Sequence, residues 1–187
     1  MCSSCYDTME HLPLKVTRII DGKKVYCAGV YEKTLQKLIR GLKYHNQKDL
    51  AHYLAKFMAE YWKKTESGTD FQVVPTPIYF KRLKKRKYNH MELVGEEFAT
   101  LAELEYNPNL ITRIKNTKPQ YNLKKTEREK NLKNAFEVHP ENLKSGKILL
   151  IDDICTTGST FEEMIRELQK HNINDIVCFA ATTPFGE

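Results

Sequence analysis

One stretch of the sequence decides the fold, and it reads Ile148-Leu149-Leu150-Ile151-Asp152-Asp153-Ile154-Cys155-Thr156-Thr157-Gly158-Ser159-Thr160. Its first part is apolar without alternation, which is typical of a central parallel strand covered on both faces. Two adjacent carboxylates follow, and then a loop of small hydroxyl residues with one glycine. The loop opens a segment whose apolar residues recur at helical spacing. Because ligands in open α/β sheets bind beyond the carboxyl ends of strands, we expect a ligand site here.

The chemistry of this stretch predicts a phosphorylated ligand. A helix that begins after such a loop offers backbone N–H groups and the positive end of its dipole to a phosphate. The loop adds hydroxyl donors on Thr156, Thr157, Ser159 and Thr160. Asp152 and Asp153 would repel a phosphate, so they are expected to serve sugar hydroxyls, a bound Mg²⁺, or both. Neither GxxxxGK[ST] nor GxGxxG occurs, which disfavours P-loop and dinucleotide-binding proteins.

The surrounding sequence predicts an α/β protein with a parallel sheet flanked by helices. Apolar runs at 71–75 and 176–181 predict further buried strands, which alternate with helices predicted at 35–42, 47–63 and 89–103. Near the N-terminus, Asp21-Gly22 separates two strand-like segments and predicts a tight β-hairpin turn. We therefore divide the chain into a small appendage over residues 1–30 and a main domain over residues 31–187.

Positive charge is concentrated in the middle of the chain. Residues 75–135 carry 14 basic and 7 acidic side chains, while the remainder sums to −1 of the total +6. This asymmetry favours an anionic partner, namely nucleic acid, phosphates or an acidic protein, and a solvated basic surface is the alternative. Cations beside aromatic rings are compatible with binding of single-stranded DNA through Lys84, Lys85, Lys87 and Tyr88, but the charge pattern alone does not name the anionic partner. Core packing of those rings is the competing interpretation.

The lengths of the apolar runs indicate the cellular compartment, and the spacing of the cysteines indicates which metal sites are possible. No apolar run approaches the roughly 20 residues of a membrane helix, and the N-terminus lacks a signal-peptide core, so a cytoplasmic protein without membrane insertion is expected. Five cysteines are not a disulfide framework. Cys2 and Cys5 have zinc-knuckle spacing, but a closed zinc site needs four ligands. His11 and Cys27 could complete it, and an incomplete element is the alternative.

The stretch from Ile148 to Thr160 resembles the phosphoribosyl pyrophosphate (PRPP) signature of type I phosphoribosyltransferases. Further segments match the order and spacing of the ComF family, whose phosphoribosyltransferase-like members are associated with DNA uptake during natural transformation. These segments are Val73 to Pro77, Arg86 to Asn89, Lys118 to Gln120, Arg128 to Asn131, and Ala135-Phe136. The resemblance implies a type I phosphoribosyltransferase-like sheet over residues 31–187, preceded by the small hairpin appendage.

The resemblance also implies roles for individual residues. Asp152 and Asp153 resemble the pair that binds the ribose hydroxyls of PRPP directly or through Mg²⁺. The 5′-phosphate loop corresponds to Thr156, Thr157, Gly158, Ser159 and Thr160. The pyrophosphate loop follows Val73 to Pro75, with anion contacts from Lys81, Arg82 and Arg86. A catalytic lid over residues 115–131 would close on the leaving pyrophosphate through Lys118, Gln120 and Arg128.

Several functions are compatible with this resemblance. The first is a DNA-uptake protein that binds PRPP or a related ligand together with single-stranded DNA. The second is an active Mg²⁺-dependent phosphoribosyltransferase that transfers phosphoribose to a nucleobase or an amine, with Asp152, Asp153 and Arg128 in catalysis. The third is a regulatory PRPP sensor. Thr156 stands where purine-salvage enzymes carry an Asp, which disfavours purine transfer.

Partners and metal content are further expectations of the family resemblance. A competence helicase is an expected partner by family analogy, and homodimers are common among such folds. ComF-type proteins often carry two CxxC pairs, whereas this sequence starts at what resembles the second pair. Either the start is internal or the zinc module has been lost, so a zinc ion on Cys2 and Cys5 is expected only if the other ligands exist.

Overall fold

The strands and helices are defined by a computed structural model, which describes residues 1–65, 68–116, 132–144 and 146–184. The strands are β1 (Arg18–Ile20), β2 (Lys23–Val30), β3 (Phe71–Pro75), β4 (Glu105–Tyr106), β5 (Ile111–Arg113), β6 (Phe136–Val138), β7 (Lys147–Ile154) and β8 (Ile176–Thr183). The helices are α1 (Ser3–Asp7), α2 (Lys33–Tyr44), α3 (Leu50–Trp62), α4 (Phe80–Arg86), α5 (His90–Ala102) and α6 (Ser159–Lys170), and a 3₁₀ helix spans Pro140–Asn142.

Six strands form the main sheet in the order β1-β2-β8-β7-β3-β4. Only the β1–β2 pair is antiparallel, and the other neighbours run parallel. The carboxyl ends of the five parallel strands β2, β8, β7, β3 and β4 therefore lie at one edge of the sheet, with β7 near its middle. A separate antiparallel pair joins β5 to β6.

The two faces of the sheet are covered by different elements. Leu149 and Ile151 of β7 point into a core formed with α2, α3 and α5. Ile148 and Leu150 point the other way, into a core formed with α6 and the β5–β6 pair. Because both faces are buried, β7 needs apolar side chains at consecutive positions, which explains its unbroken apolar sequence.

The elements predicted around the deciding stretch are confirmed. β3, β7 and β8 and the helices α2, α3, α5 and α6 all form within a few residues of the predicted bounds. The hairpin is also confirmed, with Asp21 and Gly22 both at positive φ in its turn. The short strands β4, β5 and β6 and the helix α4 were not predicted, because segments this short carry little periodic signal.

The hairpin is joined to the main sheet rather than separate from it. Residues of β2 pair in parallel with β8 from Val25 opposite Cys178 to Val30 opposite Thr183. The division of the chain at residue 30 stays a prediction, although β2 belongs to the sheet of the main domain. Within the described ranges, every helix is too short or too polar to span a lipid bilayer.

Candidate ligand site at the tip of β7

Asp152 and Asp153 lie at the carboxyl end of β7, as predicted, but their surroundings differ. Successive side chains of a strand point to opposite faces. Asp153 follows Leu149 and Ile151 to the face covered by α2 and α5, and its side chain is only 5% exposed. Asp152 is half-buried, and its Oδ1 accepts a hydrogen bond of 2.9 Å from the backbone N–H of Asp153. The two carboxylates therefore do not form one open pair.

Asp153 is held by two partners, the half-buried Lys43 and the buried His90. Its Oδ2 lies 2.6 Å from Lys43 Nζ, in the last turn of α2, and 2.5 Å from His90 Nε2, at the start of α5. Burial alone would raise the pKa of Asp153, but the charges and hydrogen bonds of Lys43 and His90 outweigh it and lower that pKa. The predicted contact of Asp153 with ribose hydroxyls stays a prediction, and in this structure its Oδ2 is engaged by Lys43 and His90.

The same cluster shifts the pKa values of Lys43 and His90. Burial would lower the pKa of Lys43, but Asp153 outweighs this effect and raises it. For His90, burial prevails and lowers the pKa. Because a carboxylate only accepts, the His90 Nε2 carries the proton that it shares with Asp153. Its buried Nδ1 has no hydrogen-bond partner among the described residues.

Asn89 positions His90 against the strand tip. Its side chain caps α5 by accepting a hydrogen bond of 3.0 Å from Met91 N–H. The Asn89 Nδ2 also donates to the carbonyl of Thr76, just after β3. Thr76 in turn donates from Oγ1 to the Ile151 carbonyl at 2.9 Å. This chain of bonds ties the start of α5 to the end of β7.

Asp152 is the carboxylate with an unusual proton affinity. Burial and the negative charge of Asp153 raise the pKa of Asp152 to about 7, although Lys43 and Arg113 oppose the shift. Arg113 is the last residue of β5, and its guanidinium lies over the Phe136 ring, 5.4 Å from the centroid. Burial and the nearby charge of Arg82 lower the pKa of Arg113 to about 10. Asp152 therefore lies within electrostatic range of a guanidinium that the sequence did not single out.

Residues 156–160, which we call the hydroxyl loop, follow β7 as predicted, and the last two begin α6. Gly158 is the N-cap of α6 at φ +85°, so no side chain caps this helix. The hydroxyl groups of Thr157 and Ser159 lie 2.8 Å apart. Arg18 of β1 donates to the Thr156 carbonyl at 2.6 Å. The hairpin thus supports the loop, a role that no local sequence signal indicates.

A second feature beside the strand tip is a basic cleft of about 490 Å³. Five of its eight lining side chains are cationic and none is acidic: Lys43, Tyr44, Asn46, Arg82, Lys85, Arg86, Lys87 and Tyr88. Burial and the neighbouring charge of Arg86 lower the pKa of Arg82. Because these cations repel one another, an anion in the cleft would be stabilised.

The aromatic side chains of this region differ from the prediction. The Tyr88 side chain cannot stack on a base as predicted, because the residue is 8% exposed and its hydroxyl donates to the Leu42 carbonyl. Tyr44, which the sequence did not single out, is 59% exposed, and Arg86 lies over its ring at 5.5 Å. Phe80, at the start of α4, is 48% exposed, with Lys84 over its ring.

The remaining predicted site residues lie either around α4 or outside the described residues. Lys81, Lys84, Lys85 and Lys87 are exposed on or just after α4. Lys118, Gln120 and Arg128 lie outside the described residues, so their predicted role in a lid stays a prediction.

Cys2 and Cys5 are exposed near the N-terminus, but the side chains expected to join them in a zinc site are occupied elsewhere. His11 bonds to the Phe57 carbonyl, and Cys27 is buried with a hydrogen bond to Cys155. Nowhere in the described part of the chain do three or more His, Cys, Asp or Glu side chains form a group that could hold a metal. The zinc ion on Cys2 and Cys5 stays a prediction.

Known proteins resemble this chain over most of its length. It is 29% identical over 159 residues to Competence protein F of Haemophilus influenzae, which covers 82% of this chain and 69% of that protein. It is 25% identical over 179 residues to DNA utilization protein YhgH of Salmonella typhimurium, which covers 91% of this chain and 78% of that protein. These relatives confirm the predicted resemblance to the ComF family. No family model matches the sequence.

Solved structures with a partly similar backbone include adenine phosphoribosyltransferases. The enzyme of Thermoanaerobacter pseudethanolicus is 12% identical with a TM-score of 0.43, over 74% of this chain and 83% of that one. The enzyme of Trypanosoma brucei, in complex with AMP, pyrophosphate and ribose-5-phosphate, is 9% identical with a TM-score of 0.44, over 96% of this chain and 77% of that one.

Proposed function

We propose that this chain, a relative of the ComF-family competence and DNA-utilization proteins, acts in DNA uptake by binding single-stranded DNA and a phosphoribosyl ligand such as PRPP. The observation that supports this proposal most is the basic cleft beside the acid-tipped strand. The basic cleft offers cations and an exposed aromatic ring, and the tip of β7 offers a carboxylate and the hydroxyl loop. A competence helicase partner and a homodimer remain expectations of the family resemblance.

The cleft has the chemistry that single-stranded nucleic acid requires. Lys85 and Lys87 are exposed at its rim, while Arg82 and Arg86 are half-buried in its wall. Such cations neutralise backbone phosphates without reading sequence. The exposed Tyr44 ring supplies a surface on which a base can stack, and its Arg86 neighbour can add a cation–π contact. The cleft therefore supports DNA binding without sequence preference.

The tip of β7 has the chemistry that a phosphoribosyl ligand requires. The hydroxyl loop brings Thr157 and Ser159 to the start of α6, where a 5′-phosphate would accept hydrogen bonds. Asp152 can accept hydrogen bonds from ribose hydroxyls. Arg82 and Arg113, which act on each other electrostatically, would supply positive charge for the pyrophosphate.

Mg²⁺ fits this site only in part. Because Lys43 and His90 hold Asp153, Asp152 is the carboxylate that would bind the ion, and the ligand's own phosphate oxygens would complete its shell. This agrees with the preference of Mg²⁺ for one or two carboxylates together with substrate phosphates. When bound, the ion would neutralise charge on the pyrophosphate. Without a ligand, Asp153, Lys43 and His90 keep the strand tip in place.

An active phosphoribosyltransferase is the second candidate function. It is favoured by the electrostatic proximity of Asp152 and Arg113, which would place an acidic and a basic group around the C1–pyrophosphate bond. The leaving pyrophosphate would be stabilised by positioned cations, with Lys118 and Arg128 contributing from the lid that the family resemblance implies. Mg²⁺-dependent release of pyrophosphate from PRPP in the presence of a nucleobase or amine would establish this activity, and Asp152→Asn should abolish it.

DNA binding is tested by fluorescence anisotropy of a labelled oligo(dT) across a salt series. We expect affinity to fall steeply with salt, with a log–log slope of about −0.7 for each neutralised phosphate. The double variant Lys85→Glu/Lys87→Glu should weaken binding about tenfold or more and reduce the slope. Lys63→Glu/Lys64→Glu, which changes the charge equally at the exposed end of α3, is the matched control. Equal losses in both double variants would show that the cleft is not the binding surface.

A further inference from the structure

Lys43 belongs to both proposed sites. Its Nζ lies 2.6 Å from Asp153 Oδ2 at the tip of β7, and the same side chain lines the basic cleft beside Arg86. The Lys43 side chain is 19% exposed and lines the cleft while its ammonium group contacts Asp153. One cation therefore faces a carboxylate on one side and the proposed path of a DNA backbone on the other.

The ion pair opposes the transfer of Lys43 to a DNA phosphate. Asp153 is buried, and its other partner is His90, whose Nε2 donates a hydrogen bond to the same Oδ2. If Lys43 turned to a phosphate, a buried carboxylate would lose its balancing charge, which is strongly destabilising. Lys43 can leave at low cost only when another group takes its place at Asp153.

A phosphoribosyl ligand at the strand tip can provide that group. Ribose hydroxyls can donate hydrogen bonds to Asp153, and a cation carried by the ligand can balance its charge. The Lys43 ammonium is then released to the cleft, where the other four lining cations already attract phosphate. Conversely, DNA that recruits Lys43 exposes Asp153 to the sugar. Each ligand removes the obstacle to the other.

We propose that Lys43 couples the two sites, so that a phosphoribosyl ligand at the β7 tip and single-stranded DNA in the basic cleft increase each other's affinity. This inference rests on the proposed function and adds its regulation. The device has two discrete states, with Lys43 paired to Asp153 or to a DNA phosphate. Coupling between binding sites is reciprocal and typically changes affinity about 5- to 150-fold.

The test measures oligo(dT) affinity by anisotropy with and without saturating PRPP, at the same Mg²⁺ concentration and ionic strength in both arms. We expect PRPP to increase the affinity of the wild-type chain at least about fivefold. Titration of PRPP with and without oligo(dT) should give the same factor. An unchanged affinity, or a loss of affinity through competition for the cleft, would overturn the coupling.

Three variants identify Lys43 as the link. Asp153→Asn should raise the affinity for oligo(dT) without PRPP and remove the effect of PRPP, because no charged carboxylate then competes with the DNA phosphate for Lys43. Lys43→Met should also remove the effect of PRPP. If Lys43→Met does not fold, the double variant Lys43→Met/Asp153→Asn, which deletes the ion pair without leaving a lone charge, takes its place in the experiment. Lys85→Gln, on the same cleft without contact to Asp153, should weaken oligo(dT) binding but keep the PRPP factor.

The outcomes separate the inference from the function on which it rests. If both ligands bind the wild-type chain independently, the coupling is wrong and the proposed function stands. If oligo(dT) or PRPP fails to bind at all, the proposed function fails and the coupling fails with it. If Lys43→Met/Asp153→Asn keeps the full PRPP factor, coupling exists but Lys43 does not carry it, and the inference is wrong.

Discussion

Gly158 in the hydroxyl loop packs against Ile20 at the end of β1, so closely that a Cβ on Gly158 would overlap the Cδ1 of Ile20. The same strand holds the loop through Arg18, which donates to the Thr156 carbonyl. The hairpin therefore shapes the loop from outside, and the glycine is required twice: for its positive φ and for the close approach of Ile20. This contact suggests the first prediction.

Gly158→Ala should destabilise the protein more than Gly22→Ala. Gly22, at φ +73° with open space around it, reports the backbone strain alone, about 1–2 kcal/mol. Gly158→Ala also displaces the Cδ1 end of the Ile20 side chain, which should cost about 0.5–1.5 kcal/mol more. Urea unfolding of both variants measures the difference. Equal losses of unfolding free energy would contradict the contact between the loop and β1.

Loss of the Lys43 charge should destabilise the fold. Lys43→Met leaves the buried Asp153 with only His90, and removal of one partner of a buried ion pair costs about 3–5 kcal/mol. We expect a value near the lower end, because the Lys43 side chain retains some exposure. Lys37→Met, exposed on the same helix, is the control and should change the free energy of unfolding by less than about 0.5 kcal/mol. Similar values for the two variants would contradict a structural ion pair.

The pH dependence of stability should reveal the raised pKa of Asp152. In the folded chain this pKa is about 7, whereas an unfolded Asp titrates near 3.9. Between about pH 4 and 7 the folded state retains a proton that the unfolded state has released, so this group makes the free energy of unfolding fall as pH rises. Above about pH 7 the effect is constant. The lowered pKa of Asp153 acts in the opposite sense, since its stabilisation is lost only as pH falls below about 4.

Asp152→Asn removes the Asp152 contribution and isolates it. The free energy of unfolding of Asp152→Asn minus that of the wild type should rise between about pH 4 and 7 by about 2–4 kcal/mol and then level off. Urea unfolding at closely spaced pH values measures this difference. A difference that stays flat from pH 4 to 8 would mean that Asp152 titrates normally in the folded chain.

The exposed ring of Tyr44 should contribute to DNA binding by stacking. Tyr44→Ala should weaken oligo(dT) binding by about 1–3 kcal/mol, because one base loses its aromatic surface. Tyr44→Phe keeps the ring and should keep the affinity. Anisotropy measures both, with thermal unfolding as a check on the fold. If Tyr44→Ala binds oligo(dT) as tightly as Tyr44→Phe, the cleft attracts phosphates without stacking bases.

Much of the fold follows from the sequence because the central strands have a strong signal. The unbroken apolar run of β7 requires burial on both faces, and Asp21-Gly22 requires a tight turn, so both elements were predicted correctly. The hydroxyl loop was also placed correctly at the carboxyl end of the sheet. These features depend on consecutive residues, and local chemistry is sufficient to identify them.

The partners of Asp153 could not be predicted in the same way. Lys43 and His90 lie 110 and 63 positions before Asp153, and only the packing of α2 and α5 on one face of the sheet brings them together. The burial of Tyr88 and the exposure of Tyr44 likewise depend on how α2 lies beside α4. Asp152 and Asp153 are adjacent in the sequence, which suggests a pair, but neighbouring side chains of a strand point to opposite faces.

The central claim is that the tip of β7 and the hydroxyl loop together bind a phosphorylated sugar. Isothermal titration calorimetry of PRPP into the wild-type chain in Mg²⁺ buffer tests it most directly, with Thr157→Val/Ser159→Ala as the variant that removes the loop hydroxyls. The account predicts saturable binding at one site in the wild type and clearly weaker binding in the variant. An absence of saturable heat up to millimolar PRPP, in a sample that still binds oligo(dT), would contradict it.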